Sequence, residues 1–280
     1  MMMKKYAAIF LVIISASCRT AQPSQTSALS AASFGHNGAA WAALWQQRSG
    51  EYRALCFQAY RLAKLELDAV LQQPSSLPRA IVTDIDETVL DNSAYSAMQS
   101  GFHNGYTKDT WFAWTSRADA DSIPGAVSFL KYAASKGVEV FYVTNRMEQE
   151  RIATRKNLER WVFPYADDQH LILQTDKSAK GPRRESIART HNIVMLLGDN
   201  LGDFADVFDK RTSNDRQRAV DSLQQTFGSR FIVLPNAMYG DWESALRQYN
   251  NGLTQQQKDS LYRASLKDYP AEKVPKKLVM

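Results

Sequence analysis

The sequence predicts an α/β fold built on a doubly wound, mainly parallel sheet of five strands. Five short, largely continuous apolar runs are bounded by polar or turn residues and lie at positions 80–83, 138–143, 171–173, 193–197 and 231–234. Helical patterns separate the last four runs, and strands that alternate with helices favour a parallel sheet. Because the runs do not alternate strictly with polar residues, we expect both faces of the sheet to be covered.

The segments around these runs predict the helices that cover the sheet. Apolar residues recur at three- and four-residue steps over 38–73, where Ser49 and Gly50 are a candidate interruption and Pro74 ends the pattern. The remaining helices are expected over 148–161, after Pro182, over 204–227 and over 241–266.

The segment 91–123 is too long for a simple connection between a strand and a helix. It is rich in aromatic residues, namely Tyr95, Phe102, Tyr106, Trp111, Phe112 and Trp114. We expect it to form a small helical cap domain with 38–73 and 241–266, next to the end of the first strand. The folded domain would then span 38–270, and a solvated tail would follow over 271–280.

The first residues predict export. Two lysines precede a short apolar stretch over 6–14, small residues follow at 15–17, and Cys18 comes next. Segment 1–18 resembles a bacterial lipoprotein signal, which is cut before a cysteine that then carries lipid, although Ser15 stands where such signals usually have leucine. The expected location is therefore the outer membrane or the cell surface. Cleavage of an ordinary export signal, giving a periplasmic or secreted protein, is the alternative.

A lipid on Cys18 would be the only link to a membrane. Residues 19–37 are rich in Ser, Ala and Gln without periodicity, which is typical of a flexible tether. No other stretch is long and apolar enough to cross a bilayer. The formal net charge of +5 over 280 residues is too small to indicate a nucleic-acid polymer as a partner, and it suits small anionic substrates.

Polar residues follow each apolar run at the point where the strand should end. They are Asp84, Asp86 and Glu87 after the first run, Thr144, Asn145 and Arg146 after the second, Lys177 and Lys180 soon after the third, Asp199 and Asn200 after the fourth, and Asn236 and Tyr239 after the fifth. In open α/β sheets, ligands bind outside the carboxyl ends of the strands. We therefore expect these side chains to form one site, although they are distant in sequence.

The carboxylates of this expected site require positive charge among them. Two unit charges about 4 Å apart repel each other by roughly 4 kcal/mol at an effective dielectric constant near 20. A hard cation relieves that repulsion, and an oxygen-only ligand set indicates Mg²⁺.

Four motifs in order carry a family resemblance. Asp84-x-Asp86-x-Thr88, Thr144, Lys180 and the run GDNxxD over 198–203 resemble the motifs of the haloacid-dehalogenase superfamily, which includes aspartate-nucleophile phosphatases. The longer strings DIDETVLDNS, VTNR, DKSAKxxR, GDNLGDF and PNAMYGDWE resemble those of the bacterial class C, or lipoprotein, acid phosphatases and 5′-nucleotidases. The resemblance covers roughly residues 41–246.

This resemblance implies an exported, Mg²⁺-dependent acid phosphatase that acts through an aspartyl-phosphate. Asp84 would be the nucleophile. Asp86 would be the general acid and then the general base, which requires it to be protonated when substrate arrives and favours an acidic working pH. The metal ligands would be the Asp84 carboxylate, the Asp86 backbone carbonyl and Asp199, with Asp203 orienting metal-bound water. Lys180 would supply a second positive charge, with Lys177 as its competitor for that role.

The resemblance also implies the substrate class and the assembly. The Thr144 side chain and the Asn145 backbone N–H would hold phosphoryl oxygens. Trp111 and Tyr239 would stack on the ring of a nucleoside 5′-monophosphate or of nicotinamide mononucleotide, unless they only pack within the cap. A homodimer is expected.

Several alternatives stay open at the level of sequence. The chain could be a non-catalytic surface binding lipoprotein on the same fold, or a phosphatase for macromolecular substrates. Asp91 is expected to shape a helix start with Asn92 and Ser93 and not to touch the metal. Arg183 and Arg184 are expected to be surface charges of a helix.

Overall fold

The computed structural model describes residues 34–100 and 106–267. Predictions about the export signal with Cys18, residues 19–33 of the tether, Phe102 and the tail fall outside these residues. The strands are β1 (Arg79–Thr83), β2 (Leu90–Asp91), β3 (Asp121–Ser122), β4 (Glu139–Met147), β5 (Leu171–Gln174), β6 (Asn192–Gly198) and β7 (Phe231–Val233). The helices are α1 (Phe34–Arg48), α2 (Gly50–Leu71), α3 (Ser93–Gln99), α4 (Lys108–Thr115), α5 (Ala126–Ser135), α6 (Arg151–Arg160), α7 (Gly181–Ala188), α8 (Ser213–Ser222), α9 (Asp241–Leu246) and α10 (Gln255–Ala264).

Five strands form one parallel sheet in the order β5-β4-β1-β6-β7. The chain builds outward from β1 through β4 to β5, then returns to place β6 on the other side of β1. This reversal makes the carboxyl end of β1 the switch point of a doubly wound sheet, where such folds bind ligands. The predicted fold class, a doubly wound five-stranded α/β fold, is confirmed.

Two apolar cores lie on opposite faces of the sheet because alternate residues of each strand point in opposite directions. Ile81 of β1 belongs to a cluster that includes the buried face of α2, whereas Ala80 and Val82 belong to a second cluster that includes Ile187 of α7. Coverage of both faces explains why the strand segments are so apolar.

The long insertion is closed at its base by a small antiparallel ribbon. Leu90 pairs with Ser122 and Asp91 with Asp121, so β2 and β3 bring the two ends of the insertion together. Helices α3 and α4 lie between them, and α1 contacts both α3 and α10. Helix α2, by contrast, packs against α5 and the sheet, so the segment 38–73 is divided between two surroundings. The cap boundaries stay a prediction.

Segment 38–73 is divided at the candidate interruption, because the Ser49 side chain accepts the N–H of Tyr52 at 3.0 Å and starts α2. Two helix predictions need correction. The predicted helix over 241–266 is broken into α9 and α10, with residues 247–254 between them. The prediction of a helix over 204–227 is wrong at its beginning, where only short 3-10 turns form and Phe208 is buried. Helix α8 begins in the polar stretch because Thr212 caps it by accepting the N–H of Asp215. None of the helices in the described ranges is both long and apolar enough to span a bilayer.

Candidate active site

Asp84 lies at the carboxyl end of the central strand, at the switch point. Its backbone N–H donates to the carbonyl of Leu197 at 3.0 Å, so β6 still holds it in place. Nζ of Lys180 donates to Asp84 Oδ1 and pairs with Asp203 Oδ1 at 2.7 Å. The three side chains are almost fully buried. Lys180, and not the exposed Lys177, therefore supplies the charge beside Asp84.

The acidic groups of this site resist ionisation. Burial raises the pKa of Asp84 to about 7; Lys180 opposes this rise, while Asp203 and Asp86 add to it. Burial also raises the pKa of Asp199, with Asp203 and Asp84 adding to the effect. Burial by itself would lower the pKa of Lys180, but the carboxylates of Asp203 and Asp84 raise it above its ordinary value. Three carboxyl groups therefore share one ammonium group at the end of β1.

The chemistry of this donor set fits a divalent metal. Asp84, Asp199 and Asp203 each bring one carboxylate oxygen within 4.8 Å of the others. Asn236 donates to Asp199 Oδ2 at 2.8 Å, and the backbone N–H of Asn200 donates to Asp203 Oδ2 at 2.9 Å, so neighbours hold both carboxylates in orientation. Hard divalent cations prefer such oxygen ligands.

The loop after β6 requires a glycine. A Cβ on Gly198 would overlap the carboxylate of Asp203, which folds back beneath the strand end. Arg184 fixes the same loop from the other side by donating to the carbonyls of Gly202 and Asp203 at 2.9 and 3.0 Å and to Asp206 at 2.6 Å. The prediction that Arg184 is a surface charge is wrong, because the loop carbonyls bury it.

Asp86 lies in a second charged cluster, whose cation is Arg146. The guanidinium donates from Nη2 to Asp86 Oδ1 at 2.7 Å and from Nε to Oδ1 and Oδ2 at 3.1 and 3.3 Å. Asn92 Nδ2 donates to the same Oδ1 at 2.9 Å. The side chain of Asp86 is 16% exposed, whereas that of Arg146 is 1% exposed.

Glu87 is completely buried and connects this cluster to Tyr239. Its backbone has a positive φ of 58°, a conformation that costs a non-glycine residue roughly 1–2 kcal/mol. Its carboxylate accepts the N–H of Asn92 at 2.6 Å and the hydroxyl of Tyr239. Burial, followed by the charges of Asp86 and Asp199, raises the pKa of Glu87 well above its ordinary value. Tyr239 is thereby attached through its hydroxyl to the acidic loop.

The end of β4 supplies the residues expected to hold phosphate. Thr144 is fully buried, and its Oγ1 accepts the N–H of Arg146 at 3.1 Å. Asn145 is exposed toward the cavity. Arg183 donates to the Thr144 carbonyl and to Asn145 Oδ1 at 2.6 Å each, and to the Ser178 carbonyl at 3.0 Å. Arg183 therefore connects the loop before Lys180 to β4. Its prediction as a surface charge did not include this role.

A cavity of about 1320 Å³ opens over these clusters. Its lining includes Asp84, Asp86, Asn145, Lys180, Trp111 and Tyr239. Trp111 meets Tyr95 edge-on at 5.0 Å between ring centroids, and the Arg146 guanidinium lies 5.8 Å from the Trp111 ring centroid. The structure thus brings together around one cavity the predicted nucleophile, acid/base residue, lysine and two aromatic rings.

Asp91 and several unpredicted residues complete this arrangement. Asp91 Oδ1 accepts the N–H of Ser93 and a bond from Gln46, both at 2.8 Å, so it lies at the start of α3. The sequence placed Glu87, Arg146 and Asn236 at strand ends in the expected site and Asn92 at a helix start, but it gave none of them a specific role; each contacts a predicted site residue. Nothing in the local sequence indicated that Asn92 and Glu87 are buried.

The fold and the site together define a haloacid-dehalogenase-like α/β protein with an acidic centre at its switch point. Residues 4–242 match the family model described as HAD superfamily, subfamily IIIB (acid phosphatase), and the chain belongs to this family. The predicted superfamily and the predicted enzyme class, an acid phosphatase that hydrolyses phosphomonoesters, are confirmed.

Two solved structures of a relative agree with this assignment. The class C acid phosphatase from Bacillus anthracis is 43% identical, with a TM-score of 0.81, over 84% of this chain and 99% of that chain. A structure of the class C acid phosphatase from Bacillus anthracis with tungstate bound is 42% identical, with the same TM-score, over 85% of this chain and 99% of that chain. The likeness therefore extends over nearly the whole length of the relative.

Proposed function

We propose that this acid phosphatase is exported, depends on Mg²⁺ and hydrolyses small aromatic phosphomonoesters, in particular nucleoside 5′-monophosphates and nicotinamide mononucleotide, through an aspartyl-phosphate on Asp84. The observation that carries the proposal is the buried contact between Asp84 and Lys180, which faces a cavity lined by aromatic rings. The lysine lowers the repulsion that an anionic carboxylate meets when it approaches an anionic phosphate.

Two displacements account for the reaction. In the first, an Asp84 oxygen attacks phosphorus, the bond to the leaving oxygen breaks, and that oxygen takes a proton from Asp86. In the second, water attacks phosphorus, its proton passes to Asp86, and the phosphorus bond to Asp84 breaks. Thr144 and Asn145 hold phosphoryl oxygens, and Lys180 remains beside the transferred group.

The metal belongs beside the same carboxylates. Asp84, the Asp86 carbonyl and Asp199 would hold Mg²⁺, and Asp203 would orient its water. Bound there, the ion would offset the charge repulsion between carboxylates and phosphate and stabilise charge on the phosphoryl oxygens. The class C acid phosphatase from Bacillus anthracis was crystallised with tungstate bound, and because tungstate, like phosphate, is a tetrahedral oxyanion, this supports a phosphomonoester as the substrate.

The aromatic part of the cavity supports the proposed substrate class. Trp111 is held by Tyr95 and Arg146, and Tyr239 is held by Glu87, so each ring has a defined position. Such rings favour a leaving group that carries a flat aromatic ring over one, such as a simple sugar, that carries none.

Export, anchoring and assembly are parts of the same proposal. Cys18 would carry the lipid that attaches the protein to the outer membrane or cell surface, through a tether that ends where α1 begins at Phe34. The enzyme would act as a homodimer on small molecules outside the cytoplasm.

Phosphate release by the purified protein tests this function. We expect turnover of nucleoside 5′-monophosphates and nicotinamide mononucleotide with Mg²⁺, loss of activity with chelator, and a loss of at least about 10⁴-fold in Asp84→Asn. The exposed Asp221→Asn is a matched control that should keep full activity. Near-normal turnover by Asp84→Asn would refute the nucleophile. Binding without turnover would favour the binding lipoprotein, and faster turnover of a phosphopeptide would favour a macromolecular substrate.

A further inference from the structure

We propose that Arg146, assisted by Asn92, is a positioning residue that occupies Oδ1 of Asp86 and leaves Oδ2 as the oxygen that exchanges the proton with the leaving group. The inference rests on the role proposed above for Asp86 as general acid and base, and it assigns that role to one atom. It also gives a function to a buried cation that the reaction scheme does not otherwise use.

The two oxygens of Asp86 have unequal surroundings. Oδ1 accepts three hydrogen bonds, at 2.7 and 3.1 Å from Arg146 and at 2.9 Å from Asn92. Oδ2 accepts one long bond of 3.3 Å from Nε of Arg146. A carboxylate oxygen with three donors has no room for a proton, so the proton goes to Oδ2.

Arg146 is itself fixed, so it can impose this orientation. Its side chain is 1% exposed, and Nη1 donates to Oγ1 of the buried Thr154 at 3.1 Å. The Trp111 ring lies near the same guanidinium, with 5.8 Å between Cζ and the ring centroid. The guanidinium is planar and presents its donors at fixed angles, so its contacts restrict rotation of the Asp86 carboxylate.

Asn92 also restrains the Asp86 carboxylate, because a hydrogen bond from Trp114 fixes the orientation of the Asn92 amide. Trp114 Nε1 donates to Asn92 Oδ1 at 2.8 Å, which directs Nδ2 of Asn92 toward Asp86 and Glu87. The groups that donate to Asp86 Oδ1 thus come from two separate parts of the chain, β4 and the insertion. Oδ1 is distinguished from Oδ2 only because the fold brings these two parts together.

With Oδ1 held by its three donors, Oδ2 is the oxygen that carries the proton in the reaction proposed above. The Oδ2–H bond breaks as the bond from phosphorus to the leaving oxygen breaks, and the proton goes to that oxygen. When water later attacks the phosphoaspartate, its proton returns to Oδ2, while Oδ1 keeps its three donors throughout.

The dependence on the leaving group tests the positioning role. We would compare kcat/KM for 4-nitrobenzyl phosphate, whose alkoxide needs a proton to leave, with that for 4-nitrophenyl phosphate, whose phenolate leaves without one. Arg146→Lys keeps the charge but loses the planar contact, so kcat/KM should fall about 10–100-fold for the benzyl ester and only a few-fold for the phenyl ester. A merely structural role would reduce both values equally.

A milder variant keeps the test decisive if Arg146→Lys does not fold. Thr154→Val removes the hydroxyl that accepts from Nη1 and should change the ratio between the two esters by about two- to five-fold in the same direction. If Arg146→Lys folds, as judged by its thermal melting curve, and the ester ratio stays at the wild-type value, the inference is wrong. If Arg146→Lys is unfolded, an unchanged ratio in Thr154→Val overturns it.

Asp86→Asn separates this inference from the proposed function. It should lower kcat/KM for the benzyl ester far more than for the phenyl ester, and adding Arg146→Lys should then change the ratio little, since both act on one proton transfer. If Asp86→Asn shows no preference between the esters, the proposed acid/base role itself fails. If it shows that preference and Arg146→Lys does not, only the positioning role fails.

Discussion

Asp84 and Asp86 are two residues apart in sequence, yet their carboxylates have opposite electrostatic surroundings. Asp84 shares Lys180 with Asp203 and lies close to Asp199, so this cluster has three carboxyl groups for one cation. Asp86 has the guanidinium of Arg146 and the amide of Asn92 directed at it. The first cluster therefore suits the metal and the nucleophile proposed above, whereas the second, in which two side chains hold one carboxylate oxygen, suits the proposed proton transfer. Environment, and not residue type, would separate the two proposed roles.

Removing the cation of the first cluster should have the largest effect. Lys180→Met leaves Asp84 and Asp203 without their shared ammonium group, and we expect phosphatase kcat/KM to fall by about 10³-fold. Lys177→Met is the matched control, since Lys177 lies exposed three residues earlier and should be dispensable. Equal activities of the two variants would contradict the assignment of Lys180.

Removing a carboxylate from the same cluster should change its metal requirement. In Asp199→Asn, the Mg²⁺ concentration for half-maximal activity should rise by about 10–100-fold or more, because one anionic ligand is lost. Titration of activity with Mg²⁺ measures this shift, and Asp221→Asn again serves as control. An unchanged requirement would exclude Asp199 from the metal site.

The second cluster should influence substrate binding more weakly, through Tyr239. Tyr239→Phe keeps the ring but loses the hydroxyl bond to Glu87, so KM for a nucleoside 5′-monophosphate should rise about three- to ten-fold. The KM for glycerol phosphate should not change, because that substrate has no ring to stack. A parallel rise for both substrates would assign Tyr239 to general packing.

The smallest expected effect is on stability and concerns the raised pKa of Asp84. In metal-free protein, this group binds a proton more tightly in the folded state, with a pKa of about 7, than its ordinary value of 3.8. Its contribution to stability should therefore decrease as pH rises from about 4 to 7. Melting curves with chelator at several pH values should show this decrease in wild type and a smaller one in Asp84→Asn. Parallel curves would mean that the proton is not held at Asp84.

Much of the fold could be predicted because apolar patterning reports local burial. The five strands were found within a few residues, although β4 continues to Met147, beyond the predicted end at 143. The helix over 204–227 was misjudged because Phe208 is buried in a loop and not on a helix face. Apolar residues indicate that a segment is buried, but they do not by themselves indicate whether the buried residue lies in a helix, a strand or a loop.

The sequence by itself determined the doubly wound sheet and the chemical groups at its strand ends. Each apolar run, and the polar residue that follows it, such as Asp84, Lys180 or Asp199, can be identified from a short stretch of sequence. Only the tertiary structure decided the charge state and orientation of those groups. Arg146 meets Asp86 across 60 positions of the chain, and Lys180 meets Asp84 across 96. Burial and ion pairing depend on such distant contacts, so they arise only when the strands assemble side by side.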